Sequence, residues 1–349
     1  MTLYDRVADL PLVVESTDRT RASADTLSDF TRATTTFELS GGGATGRGED
    51  VTYATEDHEA LADAPAFDFA GEYTFDEFSR ALSDVELFPA KPPEREDFRE
   101  YRRWAVESAA LDLALAQNDT DLASVLDREY APVRFVASMG LPGGDTSRLH
   151  ETLAIAPDCE FKLDPTDEWT DETFRDLETT DAVRVFDLKG QYEGTDVDQA
   201  ANLDLYRRVF EGFPDAVVED PEVTSETEPL LADHAERISW DAPIHGLDDV
   251  RNRPFEPRWL NVKPSRFGTV RSLFETIEYC EREGIEMYGG GQYELGVGRG
   301  HVQLLASIFY PEGPNDVAPR AYNDPEVDAN LPTSPLSPPD GVVGLTWRA

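Results

Sequence analysis

Lysine is nearly absent from this sequence: among 349 residues there are four, Lys91, Lys162, Lys189 and Lys263, against 27 arginines. Positive charge as a whole is scarce, with 31 basic against 71 acidic residues and a formal net charge of −40. Such a chain repels phosphate backbones and anionic lipid surfaces, which argues against nucleic-acid and membrane partners. No apolar run approaches the roughly 20 residues of a membrane helix, and the start, MTLYDRVADLPLVVES, has neither a basic flank nor a small-residue cleavage site, so a cytoplasmic location is expected. The two cysteines, Cys159 and Cys280, are too few and too far apart for a metal-ligand pattern or a disulfide framework, and are read as small buried apolar residues. Acidity with so little lysine fits a surface adapted to concentrated salt, where at about 1 M the Debye length falls to about 3 Å and like charges are screened. On such a surface every lysine that remains is informative.

What the chain does have is a core: 40% hydrophobic and 10% aromatic residues, enough for one large domain or two ordinary ones. The first 125 or so residues read as α+β, with TTTFELSGGG and GRGEDVTY as an antiparallel pair and residues 97 to 117 as a helix with a wide apolar stripe. From about residue 133 short apolar strands alternate with helices: VRFVAS, EFKLD, AVRVFD, AVVED, RISWD, RWLNVK and IEMYG, with helices expected at 196 to 212, 268 to 283 and about 294 to 309. Strand and helix alternating at this spacing predict a parallel sheet of right-handed crossovers, and seven such units approach a (β/α)8 barrel. The expected division is a capping domain at 1–125, a barrel at 126–318 and a C-terminal segment at 319–349, rich in Pro, Asp and Asn, that returns toward the first module.

In a barrel, reactive groups gather where the strands end and the βα loops open. Four consecutive predicted strands end in Asp187, Glu219, Asp241 and Lys263, separated by 32, 22 and 22 residues, each close to one βα unit. Three acids converging on one point repel one another unless a cation lies between them, and oxygen ligands suit a hard divalent ion, Mg²⁺ foremost. Singly, each acid would serve as well to cap a helix; in register on adjacent strands, with a lysine on the next, they predict a metal site.

These residues carry a resemblance. The chain resembles the enolase superfamily, in the branch of muconate-lactonizing enzymes, o-succinylbenzoate synthases and dipeptide epimerases. GRGE at 46 to 49 and AVESAALDLAL at 105 to 115 resemble the capping domain, and residues 133 to 318 the modified (β/α)7β barrel. The resemblance implies that Asp187, Glu219 and Asp241 hold Mg²⁺. Asn261, Lys263 and Gly268 match an N-x-K-x-x-x-x-G motif whose lysine acts as base or as a cation beside the substrate, and GGGQYELGVGR at 289 to 299 places Gln292 and Glu294 against a small carboxylate substrate. The implied chemistry is removal of the proton α to a carboxylate through an enediolate, leading to dehydration, cycloisomerisation or epimerisation. A lysine does this only when neutral, and burial beside a cation pushes an amine in that direction. A homo-oligomer is compatible with the resemblance.

The pattern departs from the family in one place. Lys-x-Lys on the second strand is here Lys162 followed by Asp164, and the asparagine usual two residues after the first metal ligand is Lys189. By the two-residue period of a strand all of these point inward, so Lys162 and Lys189 are expected with Lys263 among the catalytic groups, and Asp164 with Asn261 against the substrate. Loss of the second lysine argues against a base on each face of the substrate. Lys189 is then either a displaced base, a cation for an anionic substrate, or a salt-bridge partner of Asp164 or of a metal-site acid. An ammonium seated among the acids would point instead to a non-catalytic barrel that binds a ligand or partner without metal. His245, four residues after Asp241, is read as a loop-packing residue, and His58, His150, His234 and His301 as structural.

Overall fold

The computed structural model describes residues 1–26, 30–195, 197–324 and 326–347. The N-terminal region holds an antiparallel pair, β1 (Pro11–Val14) with β5 (Gly71–Thr74), and a three-stranded sheet in which β2 (Ser16–Asp25) and β4 (Ala44–Asp50) flank β3 (Thr31–Gly41). The helix Phe98–Gln117 lies across this sheet, and the approach is close because β4 has glycines where it touches the helix. A Cβ on Gly48 would sit 1.9 Å from the Ala105 carbonyl oxygen, and one on Gly46 2.2 Å from that of Ala109. The GRG of the sequence thus reflects contact between sheet and helix backbones.

The remainder is a parallel sheet of seven strands in sequence order: β6 (Val136–Gly140), β7 (Glu160–Asp164), β8 (Val183–Asp187), β9 (Val217–Glu219), β10 (Ile238–Trp240), β11 (Trp259–Val262) and β12 (Glu286–Gly289). It curls into a modified (β/α)8 barrel, and the gap between β12 and β6 is spanned by the residues around Asn315. The Val136 N–H donates to the Asn315 carbonyl at 2.8 Å, the Asp316 N–H donates to the Gly289 carbonyl at 2.8 Å, and the Asn315 side-chain oxygen accepts from the Gly289 N–H at 2.6 Å. An asparagine can serve both edges because its amide offers donors and acceptor together.

Some boundaries differ from expectation. The helix expected at 196 to 212 runs Leu203–Gly212, because the Asn202 side chain accepts from the Asp204 and Leu205 N–H groups and caps it there; residue 196 lies outside the described residues. The last barrel helix is Val297–Phe309. The C-terminal segment reaches the helix Phe98–Gln117, where the Leu345 N–H donates to Asp112 at 2.7 Å. Among the described residues, no helix is long and apolar enough to cross a membrane.

Candidate metal centre and its lysines

Four consecutive strands each deliver one polar side chain to the same rim. Asp187 closes β8 and Glu219 closes β9, while Asp241 and Lys263 stand one residue beyond β10 and β11. The three acids are fully buried, and one oxygen from each lies within 4.8 Å of the others. Asp220, in a left-handed conformation directly after Glu219, clasps the next strand end: its two oxygens accept from the N–H groups of Asp241 at 2.8 Å and Ala242 at 2.7 Å.

All the barrel lysines meet here. Lys162, in the middle of β7, donates to Glu219 and lies 3.2 Å from Asp187 and 3.8 Å from Asp316. Lys263 lies 2.9 Å from Asp241, whose other oxygen holds Arg266 at 2.6 Å. Lys189 donates to Asp187 and lies 3.6 Å from Asp164. It does not arrive by strand parity, as the sequence suggested, because β8 ends at Asp187. A left-handed backbone at Lys189 (φ +54°), held by its own N–H on Asp187 at 3.1 Å, turns the side chain back across the acid it follows. The fourth lysine, Lys91, pairs with Asp57 in the N-terminal region, away from these groups.

Six acids share this space, Asp164, Asp187, Glu219, Asp220, Asp241 and Asp316, against Lys162, Lys189, Lys263 and Arg266. Fully ionised, these groups of the described residues would carry two more negative than positive charges, and burial reduces that excess by favouring the neutral forms of Glu219 and Asp220. The acids respond differently to burial, which disfavours charge in all of them. At Asp187 burial is outweighed by Lys189 and Lys162, and at Asp241 by Arg266 and Lys263, so both stay well below the usual carboxylate range. At Glu219 burial prevails and pushes the carboxyl up, and Asp220, buried beside Asp241 and Asp187, is raised to about 7. Burial works against charge on the amines too, yet Glu219 and Asp187 hold Lys162 protonated, and Asp164 and Asp187 do the same for Lys189.

The other expected site residues surround this centre. Asn261 donates to Glu219 at 3.0 Å, and its side-chain oxygen, though buried, has no hydrogen-bond partner among the described residues. Gln292 accepts from the Tyr53 hydroxyl at 2.9 Å and donates to that of Tyr101 at 3.3 Å, so the N-terminal region reaches the rim through it. Glu294 accepts from the Gln292 N–H at 2.5 Å and pairs with Arg299 at 3.2 Å. Asp164 stands at the outer end of β7, half-buried, with one oxygen unpartnered. Sequence reasoning missed Arg266, Tyr192 and Tyr288. Tyr192 donates to Asp241 at 2.8 Å, and Tyr288 donates to Glu219. Arg266 could have been found, since it follows Lys263 by three residues in KPSRFG, the spacing that puts two side chains on one side of a helical turn. Tyr288 follows from the strand period, two residues before Gly290 in IEMYGG.

The N-terminal region and the barrel are tied beside this rim. Arg32, fully buried in β3, donates to the carbonyls of Val51, Thr52 and Gln292. Glu49 accepts from the N–H groups of Leu295, Gly296 and Gly298 at the start of the helix Val297–Phe309. His245 packs in a loop as expected and meets Glu100 of the long N-terminal helix at 2.5 Å. Burial opposes protonation of His245, but Glu100 outweighs it and raises the pKa. The contact therefore stabilises the fold fully below the ordinary histidine value of about 6.5 and ceases to do so as pH rises through the raised folded value. His245→Gln is expected to flatten the fall in melting temperature above pH 6.5; an unchanged profile would show that the contact carries no proton-linked stability.

Comparison with known proteins agrees with this architecture. Residues 5–125 match the family model for the N-terminal domain, and residues 129–324 that for the C-terminal domain, of a family described as Domain of unknown function (DUF8230). No curated protein matches the sequence. Among solved structures, the chain is similar to an enolase-superfamily member from Listeria innocua, at 19% identity and TM-score 0.62 over 88% of this chain and 86% of that one. It is similar to the muconate lactonizing enzyme of Pseudomonas putida, at 17% identity and TM-score 0.58 over 82% of each chain. A dipeptide epimerase from Methylococcus capsulatus, solved with a Mg ion, aligns at 18% identity and TM-score 0.61 over 80% of this chain and 82% of that one. At these identities the likeness establishes the enolase-superfamily fold, which the sequence motifs had suggested.

Proposed function

From the premise that this chain belongs to the DUF8230 family and has the fold of the enolase superfamily, we propose that it is a Mg²⁺-dependent enzyme that removes the proton α to the carboxylate of a small substrate. The observation that carries this reading is the convergence of Asp187, Glu219 and Asp241 within 4.8 Å, with the Lys263 amine on the same rim. A divalent ion held by these three acids would act as a Lewis acid on the substrate carboxylate, where negative charge develops as the proton leaves. The donor set fits such an ion, being all oxygen and buried.

Lys263 is the group assigned to take the proton, and Asn261 and Gly290 give it room. A Cβ at Gly290 would lie 2.7 Å from the Lys263 Cε and 2.4 Å from the Asn261 oxygen, so the bare glycine leaves the amine its path. Lys162, shared between Glu219 and Asp187, keeps the two acids together. Gln292, Glu294 and Asp164 line the approach for a small carboxylate; the dipeptide L-Arg-D-Lys bound to the Methylococcus epimerase sets the scale of substrate that such a fold accepts. Lys189, held protonated, offers a cation on the second face, where a two-base epimerase needs a free amine. One-base chemistry, a lyase or isomerase step, follows. The acidic, lysine-poor surface supports a cytoplasmic protein working in concentrated salt.

A second reading has its own support. All six oxygens of the three acids already accept from protein donors, Lys189 and Lys162 on Asp187, Lys162, Asn261 and Tyr288 on Glu219, and Arg266, Lys263 and Tyr192 on Asp241. Such a barrel could bind a ligand without metal. Titration calorimetry with MgCl2 and MnCl2, together with solvent-deuterium exchange at the α-carbon of candidate carboxylates, separates the two. Saturable binding with metal-dependent exchange is expected; a protein that takes up neither ion in any salt concentration is the metal-free barrel.

A further inference from the structure

We propose that Lys189 is a tethered counter-ion of Asp187 that moves onto Asp164 when a divalent cation enters, so that Asp164 is a positioning residue for metal binding. The inference rests on reading the three acids as a metal site. It begins from the paired departure of the sequence from the enolase-superfamily resemblance: Asp164 stands where that resemblance implies a second lysine, and Lys189 stands two residues after Asp187. In the structure the two exchanged residues face each other. The Lys189 amine donates to Asp187 and is 3.6 Å from Asp164, close enough for attraction and too far for a hydrogen bond. The other Asp164 oxygen is buried and accepts from nothing among the described residues. Asp164 is thus an acid with unused capacity beside an amine that is engaged elsewhere.

The anchoring of Lys189 suits a side chain that swings while its backbone stays. Its N–H is fixed on Asp187 at 3.1 Å and its carbonyl accepts from the Gln199 N–H at 3.1 Å, so the left-handed turn does not depend on where the amine rests. The amine lies 5.2 Å from the centre of the Tyr192 ring, whose face tolerates a cation in passing. Asp187 carries a second cation besides Lys189, Lys162 at 3.2 Å. A divalent ion arriving there repels both amines; Lys162 already has Glu219 as a partner and needs no new one. Lys189 has one acid to go to, Asp164. The swap then carries meaning as a pair: Asp164 without Lys189 has no amine to receive, and Lys189 without Asp164 would obstruct the ion.

A double-mutant cycle on Mn²⁺ affinity, measured by calorimetry on the full chain, tests this. Lys189→Met is expected to tighten Mn²⁺ binding about tenfold or more, because the competing charge is gone. Asp164→Asn is expected to weaken it about tenfold, because the amine stays on Asp187. In the Lys189→Met background Asp164→Asn should change the affinity less than about twofold, since a general effect of the lost negative charge would persist there and a role acting through Lys189 would not. Melting temperatures of the four metal-free proteins confirm folding before titration. Equal affinities in all four, or a loss from Asp164→Asn that survives removal of Lys189, overturn the proposal and leave the metal site standing. Absence of binding in all four removes the metal reading and this inference with it, and binding only by the two proteins that carry Lys189→Met overturns the inference alone, since it shows a lysine that does not leave Asp187.

Discussion

Replacing Lys263 with alanine is expected to lower α-proton exchange by about 10²- to 10⁴-fold, the usual worth of a positioned acid or base, while divalent-cation binding survives. The two effects separate because Lys263 touches only one of the three acids, and Asp241 keeps its hydrogen bonds from Arg266 at 2.6 Å and Tyr192 at 2.8 Å when the amine is removed. The carboxylate therefore stays where it is. Glu219 and Asp187 do not contact Lys263 and retain Lys162 between them. Loss of exchange with metal affinity retained is the signature of a missing base; loss of both would mean that Lys263 served mainly to hold Asp241. Arginine at the same position keeps the positive charge but stays protonated at any working pH, so Lys263→Arg should be as inactive as alanine if the amine must accept a proton. Exchange that persists in either variant would pass the role of base to another residue.

The rim was legible in the sequence for a simple reason. A parallel barrel repeats one geometric unit, so a chemical group that recurs once per unit, at the end of an apolar run, is placed without knowledge of any contact. Asp187, Glu219, Asp241 and Lys263 follow that rule to within one residue, and Lys162 follows the strand period. Groups that obey no period were less visible. Lys189 was expected among the acids, but by an argument that required β8 to continue past Asp187; the true cause is a left-handed turn stabilised by the aspartate itself. Asp220 has the wrong parity for the interior and acts from between two strands, on backbone N–H groups that no sequence pattern reveals. Asn315 closes the barrel from outside any regular strand. The pairing state of the acids was illegible too, because it depends on the lengths and rotamers of Lys162, Lys189 and Arg266 in a dry interior, where which acid each cation chooses is decided by tenths of an ångström.

Outside the rim the largest stability effect is expected from Arg102→Met, about 3–5 kcal/mol lost at neutral pH, the range for removing one partner of a buried ion pair. Arg102 lies inside the N-terminal region with almost no exposure. Its Nε donates to Asp50 at 2.7 Å, its two other nitrogens donate to the carbonyls of Leu87 at 3.0 Å and Asp57 at 3.1 Å, and its guanidinium stacks over Phe88 at 3.6 Å. Asp50 is fully buried at the end of β4, beside His58 at 3.9 Å and under the Thr52 hydroxyl at 2.6 Å. Burial alone would push its carboxyl up; Arg102 and then His58 outweigh burial and hold it low. In the wild-type protein this acid contributes stability that is present above the unfolded carboxylate value of about 3.9 and is lost as pH falls through the depressed folded value. His58, whose pKa is lowered chiefly by burial, adds a loss in the same direction as pH drops below about 6.5. Methionine fills the space of the arginine stem but leaves the buried Asp50 carboxylate without its guanidinium, with the Thr52 hydrogen bonds and His58 as its remaining neighbours, and its pKa must then rise. The mutant takes up a proton in its folded state where wild type does not, so the stability gap between them narrows as pH falls from 7 toward 4. Urea unfolding of both proteins across that range checks it, and a gap that stays constant with pH would mean that the arginine matters for its stacking on Phe88 and its carbonyl contacts, with the charge on Asp50 neutralised by other means.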